Sequence, residues 1–121
     1  MADFPRRGQI YWVDFSPTRG SEQDGHRPAV IVSNDVANQH GSVVVAVPMT
    51  KNTANERFPQ NVLLPANDPL PDAGLVLCGQ VRTIAKERLD HCRAELSNPQ
   101  MREVERALCT VLALPKPERL N

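Results

Sequence analysis

The sequence predicts a mainly β fold: a small, partly open β-barrel with one C-terminal α-helix. The apolar runs are short and β-branched, as in residues 29–33 (AVIVS) and 42–47 (SVVVAV), which is typical of core strands. The chain also contains 11 prolines but only one Trp, one Tyr and three Phe. We therefore expect short strands, many loops and an aliphatic core.

Strand segments are predicted over residues 9–15, 29–33, 42–47, 61–65, 74–78 and 80–84. Gly79 separates the last two, and a bulge or bend there would help the sheet to curve. Residues 16–24 are expected to form a long polar loop, and 36–41 a brief connector with a helical turn. The segment 87–96 fits a short helix and a strand equally well, because its apolar residues follow the helical period while its charged residues alternate.

The C-terminal helix has the clearest local signals. Ser97 and Gln100 have the spacing of a capping box, and Pro99 suits the first turn. We expect the helix to end near Leu114, before Pro115. An apolar stripe is predicted to pack on the core, and it consists of Met101, Val104, Leu108 and Val111.

Length and charge limit the function. A chain of 121 residues fits a single domain, 1–121, of a size that favours dimers. The formal net charge is zero, so any binding of a polyanion requires locally placed arginines or a dimer groove. Without an apolar run of ~18 residues or a secretory leader, the protein is expected to be soluble and cytoplasmic. Three cysteines without Cys-x-x-Cys spacing favour reduced thiols.

Arg27 and Thr50 are the strongest candidates for chemistry, with Glu22 and His26 nearby. Arg27 directly precedes Pro28 at the start of one predicted strand, and Thr50 follows Pro48 at the end of the next. Side chains at strand ends can contact a ligand. A guanidinium and a hydroxyl together can bind and stabilise a phosphodiester. From the residues alone, an arginine at a strand end such as Arg27 is more often the partner in a surface ion pair than a functional residue.

Other enzyme classes find little support in the sequence. His26, His40 and His91 show no metal-ligand spacing, and neither a Gly-rich phosphate loop nor a nucleophile elbow is present. We therefore expect no metal and no cofactor.

Much of the chain resembles the MazF/PemK family of toxin ribonucleases, the mRNA interferases of bacterial type II toxin–antitoxin pairs. The matching stretches are 7–15 (RGQIYWVDF), 20–23 (GSEQ) with Gly25, 27–34 (RPAVIVSN), 47–50 (VPMT), 78–84 (CGQVRTI), 88–89 and the helix over 101–114. Some members carry Asp where this chain has Gly79, and a mechanism built on that aspartate is excluded here.

This resemblance implies an SH3-like barrel of the MazF/CcdB/Kid type that forms a homodimer and binds single-stranded RNA across the dimer interface. It implies metal-independent, sequence-specific cleavage through attack by the ribose 2′-hydroxyl, with Arg27, Thr50 and Glu22 as catalytic residues. Such an attack places negative charge on the phosphate oxygens, which a preorganised guanidinium and hydroxyl can stabilise. The proton acceptor, with Glu22 as first candidate, is left open.

The resemblance also implies a cognate MazE-like antitoxin and no membrane partner. The residues expected to hold RNA are Arg19, His26, Asn34, Lys51, Gln80 and Arg82, through salt-sensitive backbone contacts and base contacts. Two alternatives remain at this point: a CcdB-like gyrase-binding inhibitor and a non-catalytic RNA-binding barrel.

Overall fold

The computed structural model describes residues 3–15, 20 and 25–115. It contains two helices and seven strands, joined in part by 3-10 turns at Cys78–Gln80 and Lys86–Arg88. In chain order the elements are β1 (Gln9–Asp14), β2 (His26–Ile31), α1 (Asp35–His40), β3 (Val43–Thr50), β4 (Asn61–Leu64), β5 (Gly74–Leu77), β6 (Arg82–Ala85), β7 (Leu89–Glu95) and α2 (Asn98–Leu112).

The strands form one antiparallel sheet in the order β4-β5-β3-β2-β1-β7, with β6 paired to β3. Strand β3 belongs to more than one ladder. Its first part pairs with β2 and β6, while Met49 and Thr50 at its end pair with Val76 and Leu75 of β5. This division bends the sheet into an open, barrel-like fold, as predicted for a mainly β chain with a C-terminal helix.

Both faces of the central strands are covered. On β2, Val30 belongs to a core cluster that includes Met101 and Val104 of α2, whereas Ala29 and Ile31 point into a second cluster around Phe15. Such burial on both faces explains why the sequence of this strand is a continuous apolar run without alternation. The helix therefore closes one side of the sheet.

Helix α2 begins and ends as its sequence predicts. The capping box is present: Ser97 Oγ accepts from the Gln100 N–H, and Gln100 Oε1 accepts from the Ser97 N–H. The helix ends at Leu112, where Ala113 adopts a left-handed conformation with φ 55°. Of the predicted stripe, Met101 and Val104 are buried, and the other two members are partly buried against the same cluster.

The structure also decides between the two interpretations of residues 87–96. Most of this segment is strand β7, which pairs with β1, and its side chains are largely exposed. Strand β2 begins earlier than predicted, at His26, and ends earlier, at Ile31, whereas β3 continues past the predicted end to Thr50. Within the described part of the chain, neither helix combines the length and hydropathy that a membrane span requires.

Candidate active site

The pairing of β2 with β3 brings Arg27 and Thr50 to the same level of the sheet. Ala29 pairs with Pro48, and the same antiparallel register continued by two residues sets Arg27 opposite Thr50. Pro28 and Pro48 have no N–H to donate to a ladder, and Thr50 pairs with Leu75 of β5 on the opposite side of β3 from β2. The β2–β3 ladder ends at Ala29 and Pro48, and Arg27 and Thr50 beyond its end flank a cleft.

A cavity of about 360 Å³ occupies this cleft. It is lined by Trp12, His26, Arg27, Pro28, Met49, Thr50, Lys51, Leu70, Pro71, Asp72, Ala73, Gly74 and Arg93. Arg27 and Thr50 are both half-buried. Three of the lining side chains are cations and one is a carboxylate, so the cavity concentrates positive charge although the whole chain is neutral. Such a site favours an anionic ligand.

The Thr50 hydroxyl is oriented by its own turn. Its oxygen accepts a hydrogen bond from the Asn52 backbone N–H at 3.2 Å. A hydroxyl that accepts in this way still has its hydrogen to donate. Thr50 can therefore donate to an oxygen of a ligand bound beside Arg27.

Trp12 forms an aromatic wall of the cavity. Its ring lies 6.5 Å from the His26 ring at an interplanar angle of 21°, and the Arg93 guanidinium lies 5.3 Å from its ring centroid. Neither Trp12 nor Arg93 was expected among the site residues. In the sequence, Trp12 is not distinguished from the other apolar residues of β1. Arg93 reaches the cavity because the segment 87–96, which the sequence left ambiguous, forms strand β7 beside β1.

The remaining predicted site residues are spread over several places. Lys51 lies at the rim of the cavity, and His26 is exposed beside Arg27. Gln80 lines a neighbouring cavity that also includes Thr50. Glu22 and Arg19 lie outside the described residues.

Asn34 and Arg82 line neither of these two cavities. Asn34 is the N-cap of α1, where its Oδ1 accepts from the Ala37 N–H at 2.9 Å. The Arg82 guanidinium lies 5.2 Å from the centroid of the Phe15 ring. Each of these side chains therefore has a local contact, and its contact with RNA stays a prediction.

The described residues offer little for metal or thiol chemistry. Among residues 3–15, 20 and 25–115, no group of three or more His, Cys, Asp or Glu side chains is arranged to hold a metal ion. Burial raises the pKa of the Cys78 thiol to about 12, and burial is also the main cause that raises the pKa of Cys92. Both thiols are therefore protonated at neutral pH, and a thiol is a poor nucleophile in that form.

The geometry fits the binding of a phosphodiester. A guanidinium and a hydroxyl donor converge on one cavity, and further cations lie at its rim and on its aromatic wall. These groups can neutralise the charge that develops on phosphate oxygens during an in-line attack.

Known proteins resemble this chain over most of its length. The endoribonuclease MazF of Staphylococcus saprophyticus is 36% identical over 110 residues, which cover 90% of this chain and 92% of that protein. A solved mycobacterial endoribonuclease in complex with its cognate antitoxin is 34% identical with a TM-score of 0.77, covering 93% of this chain and 99% of its own. MazF from Deinococcus radiodurans is 29% identical with a TM-score of 0.82, covering 93% and 100% of the two chains.

The same result comes from the comparison with protein families. Residues 6–112 match the family described as the PemK-like, MazF-like toxin of type II toxin–antitoxin systems. That match spans every described strand and all of α2. Together with the 36% identity to a curated MazF, it shows that this chain belongs to the PemK-like, MazF-like toxin family.

Proposed function

We propose that this chain is the endoribonuclease toxin of a type II toxin–antitoxin pair, and that it cleaves single-stranded RNA at specific sequences without a metal ion. The observation that carries the proposal is that Arg27 of β2 and Thr50 of β3 line one cationic cavity. The relatives named endoribonucleases support the same activity. The site is expected to lie within a single domain, 1–121.

The reaction follows from the chemistry of RNA. The ribose 2′-oxygen attacks the adjacent phosphorus, and the bond between that phosphorus and the 5′-oxygen of the next nucleotide breaks. The products are a 2′,3′-cyclic phosphate and a 5′-hydroxyl. Arg27 stabilises the negative charge on the non-bridging oxygens, and the Thr50 hydroxyl donates a hydrogen bond to one of them. Because the nucleophile belongs to the substrate, the protein supplies position and charge.

Two protons must move in this reaction. The 2′-hydroxyl loses one, and the departing 5′-oxygen gains one. Glu22 is the first candidate for the base, and His26 is the second because it lies next to Arg27 at the cavity. Arg27 acts as an electrostatic group, since its guanidinium presents a positive charge and a planar fork of donors to the phosphate oxygens.

The partners follow from the same site. A homodimer would set two such cavities along one RNA groove, with Arg19, Lys51 and Arg82 on the RNA backbone and with Asn34 and Gln80 on bases. A MazE-like antitoxin with an acidic segment would cover the cationic cavity and compete with RNA. Because the proposed substrate of this toxin is mRNA, we expect the protein to act in the cytoplasm.

The direct test is to incubate the purified protein with a long single-stranded RNA in EDTA. We expect cuts at a short recurring sequence, with 2′,3′-cyclic phosphate ends. Arg27→Ala and Thr50→Val should each lower kcat by about 10²–10³, the effect of removing one donor to a developing oxyanion. Thr50→Ser, which keeps the hydroxyl, should retain most of the activity.

Arg102→Ala is the matched control, because Arg102 is exposed on α2 and lines neither cavity. Far-UV circular dichroism should show that all variants fold. Cleavage at the wild-type rate by both Arg27→Ala and Thr50→Val would refute the site. Inhibition of gyrase without any RNA cleavage would refute the ribonuclease itself.

A further inference from the structure

A second cavity of about 380 Å³ adjoins the first, and Thr50 belongs to the walls of both. Its lining differs in character from that of the first. No residue that lines it is charged; carboxamides, including Asn55 and Gln60, form much of the wall, and Phe58 adds an aromatic ring. The cavity lined by Arg27 is suited to a charged ligand, whereas the second cavity is suited to a ligand that forms hydrogen bonds and stacks on an aromatic ring.

This chemistry suits a nucleobase better than a phosphate. A phosphate binds where cations or clustered N–H groups neutralise it, and this lining offers no cation. A base presents adjacent donors and acceptors at its edge, which a carboxamide can match with its own N–H and C=O. Phe58 is 53% exposed, and an exposed aromatic ring beside such a wall can stack on an unpaired base.

The loop between β3 and β4 has its shape before any ligand arrives. The Asn61 Nδ2 donates to the Asn55 carbonyl at 2.9 Å, and the Asn52 Oδ1 accepts from the Ala54 N–H at 3.0 Å. At the far side, the Cys78 N–H donates to the Gln60 carbonyl at 3.0 Å and ties this loop to the end of β5. A wall held in this way can discriminate between bases, because it does not adapt to each one.

We infer that this second cavity binds the base of a nucleotide that flanks the cut phosphate, and that Asn55, Gln60 and Phe58 select that base. The inference rests on the proposed ribonuclease function. Because Thr50 is a wall of both cavities, a phosphate beside Arg27 leaves an adjacent base within reach of the second cavity. The selected base therefore belongs to the position directly next to the cut.

Gly79 offers a way to fill the cavity without deforming the backbone. A Cβ added at this position would lie 3.5 Å from the Gln60 Cγ, an ordinary van der Waals contact, and Gly79 does not adopt a left-handed φ. A leucine there would occupy space in the cavity, next to Gln60. Gly79→Leu thus blocks the cavity, while Asn55→Ala removes one of its polar groups.

The test uses a single-stranded RNA library with randomised positions, cut in EDTA and sequenced at its new ends. The wild-type protein should show a base preference at a position directly flanking the cut. Gly79→Leu and Asn55→Ala should each weaken that preference by about tenfold, the size expected for one lost base-edge contact. Preferences at the other positions should persist, because their contacts are unaltered.

Gln39→Ala is the matched amide control, since Gln39 is exposed on α1 and lines neither cavity. It should leave every preference unchanged. The inference is wrong if both cavity variants keep the wild-type preference at the flanking position, or if they slow cleavage of all sequences equally. Absence of any cutting by the wild-type protein would instead refute the proposed function, and the inference with it.

Discussion

The Lys51 ammonium lies 3.1 Å from the Asp72 carboxylate, and this ion pair sits at the rim of the cavity that holds Arg27 and Thr50. Both side chains are mostly exposed, at 82% and 67%. An exposed pair of this kind contributes little to folding stability. The pair instead lowers the affinity for an anionic ligand, because a phosphate must compete with Asp72 for the Lys51 ammonium.

Asp72→Asn should therefore strengthen RNA binding. Freeing Lys51 for phosphate should lower Kd several-fold at low salt and steepen the plot of log Kd against log salt concentration by about one ion. The measurement is a titration with an RNA that carries a 2′-deoxy nucleotide at the cut site, which binds but cannot react. Asp90→Asn, on exposed β7 and outside the cavity, serves as control. Equal affinity and equal salt slope in Asp72→Asn and wild type would contradict this prediction.

The single tryptophan provides an optical signal of occupancy. Trp12 is the one Trp of the chain, and its ring lines the cavity between His26 and Arg93. Titration with the same unreactive RNA should change Trp12 emission in a saturable way, because a bound nucleotide alters the polarity around the indole. High salt should reverse the change by releasing the RNA. An emission spectrum that stays constant while another method detects binding would place RNA away from this wall.

The N-terminal segment is joined to α2 by Arg7. Its Nη1 donates to the Glu105 Oε2 at 2.8 Å, and its Nε donates to the Val32 carbonyl at 3.1 Å. Arg7→Ala should lower the free energy of unfolding by about 1–2 kcal/mol, because it removes both contacts. Glu105→Gln should cost less than about 1 kcal/mol, as for a half-exposed ion pair.

Urea unfolding of the two single variants and the double variant measures this difference. In a double-mutant cycle the coupling between Arg7 and Glu105 should be a fraction of the Arg7→Ala effect. Equal losses in the two single variants would mean that the contact with Val32 contributes nothing.

Cys78 makes stability depend on pH at the alkaline end. Burial raises the pKa of its thiol from 9.0 to about 12, so above pH 9 the unfolded chain loses a proton that the folded chain keeps. The stabilisation is thus complete below pH 9 and is lost as the pH rises towards 12, by up to about 1.4 kcal/mol per pH unit. Urea unfolding of wild type and Cys78→Ala at several pH values between 8 and 11 tests this.

The substitution itself should lower stability below pH 9, where this linkage has no effect, since it leaves a cavity beside α2. The informative quantity is the pH slope, which should be shallower in Cys78→Ala than in wild type. Parallel slopes for the two proteins would show that the Cys78 thiol does not contribute.

Local sequence signals predicted most of the elements. Ser97 and Gln100 located the start of α2, because a capping box depends only on residues three apart. Strands with apolar residues on both faces were recognisable from runs such as 29–33, since burial on both sides leaves no polar face. The segment 87–96 could not be assigned, because its strand forms by pairing with β1, and pairing partners are distant in sequence.

The candidate site was predictable only in part for the same reason. Arg27 and Thr50 were identified by their chemistry and by the family resemblance, and the structure brings them to one cavity. Trp12 and Arg93 escaped notice because they reach the cavity through the pairing of β1 with β7. Asn34 was proposed as an RNA contact because it follows β2, and its Oδ1 caps α1 in the structure; its contact with RNA stays a prediction.

Arg27 of β2 pairs with Val13 of β1, and Thr50 of β3 pairs with Leu75 of β5, so the pairing of central strands places both residues. Backbone amides of these two strands should exchange with deuterium only when the whole domain opens. Partial loosening of the periphery would therefore leave Arg27 and Thr50 in place beside the cavity. If these two residues act as proposed, inhibition would require a binding partner that covers them, because their placement does not change when peripheral segments loosen.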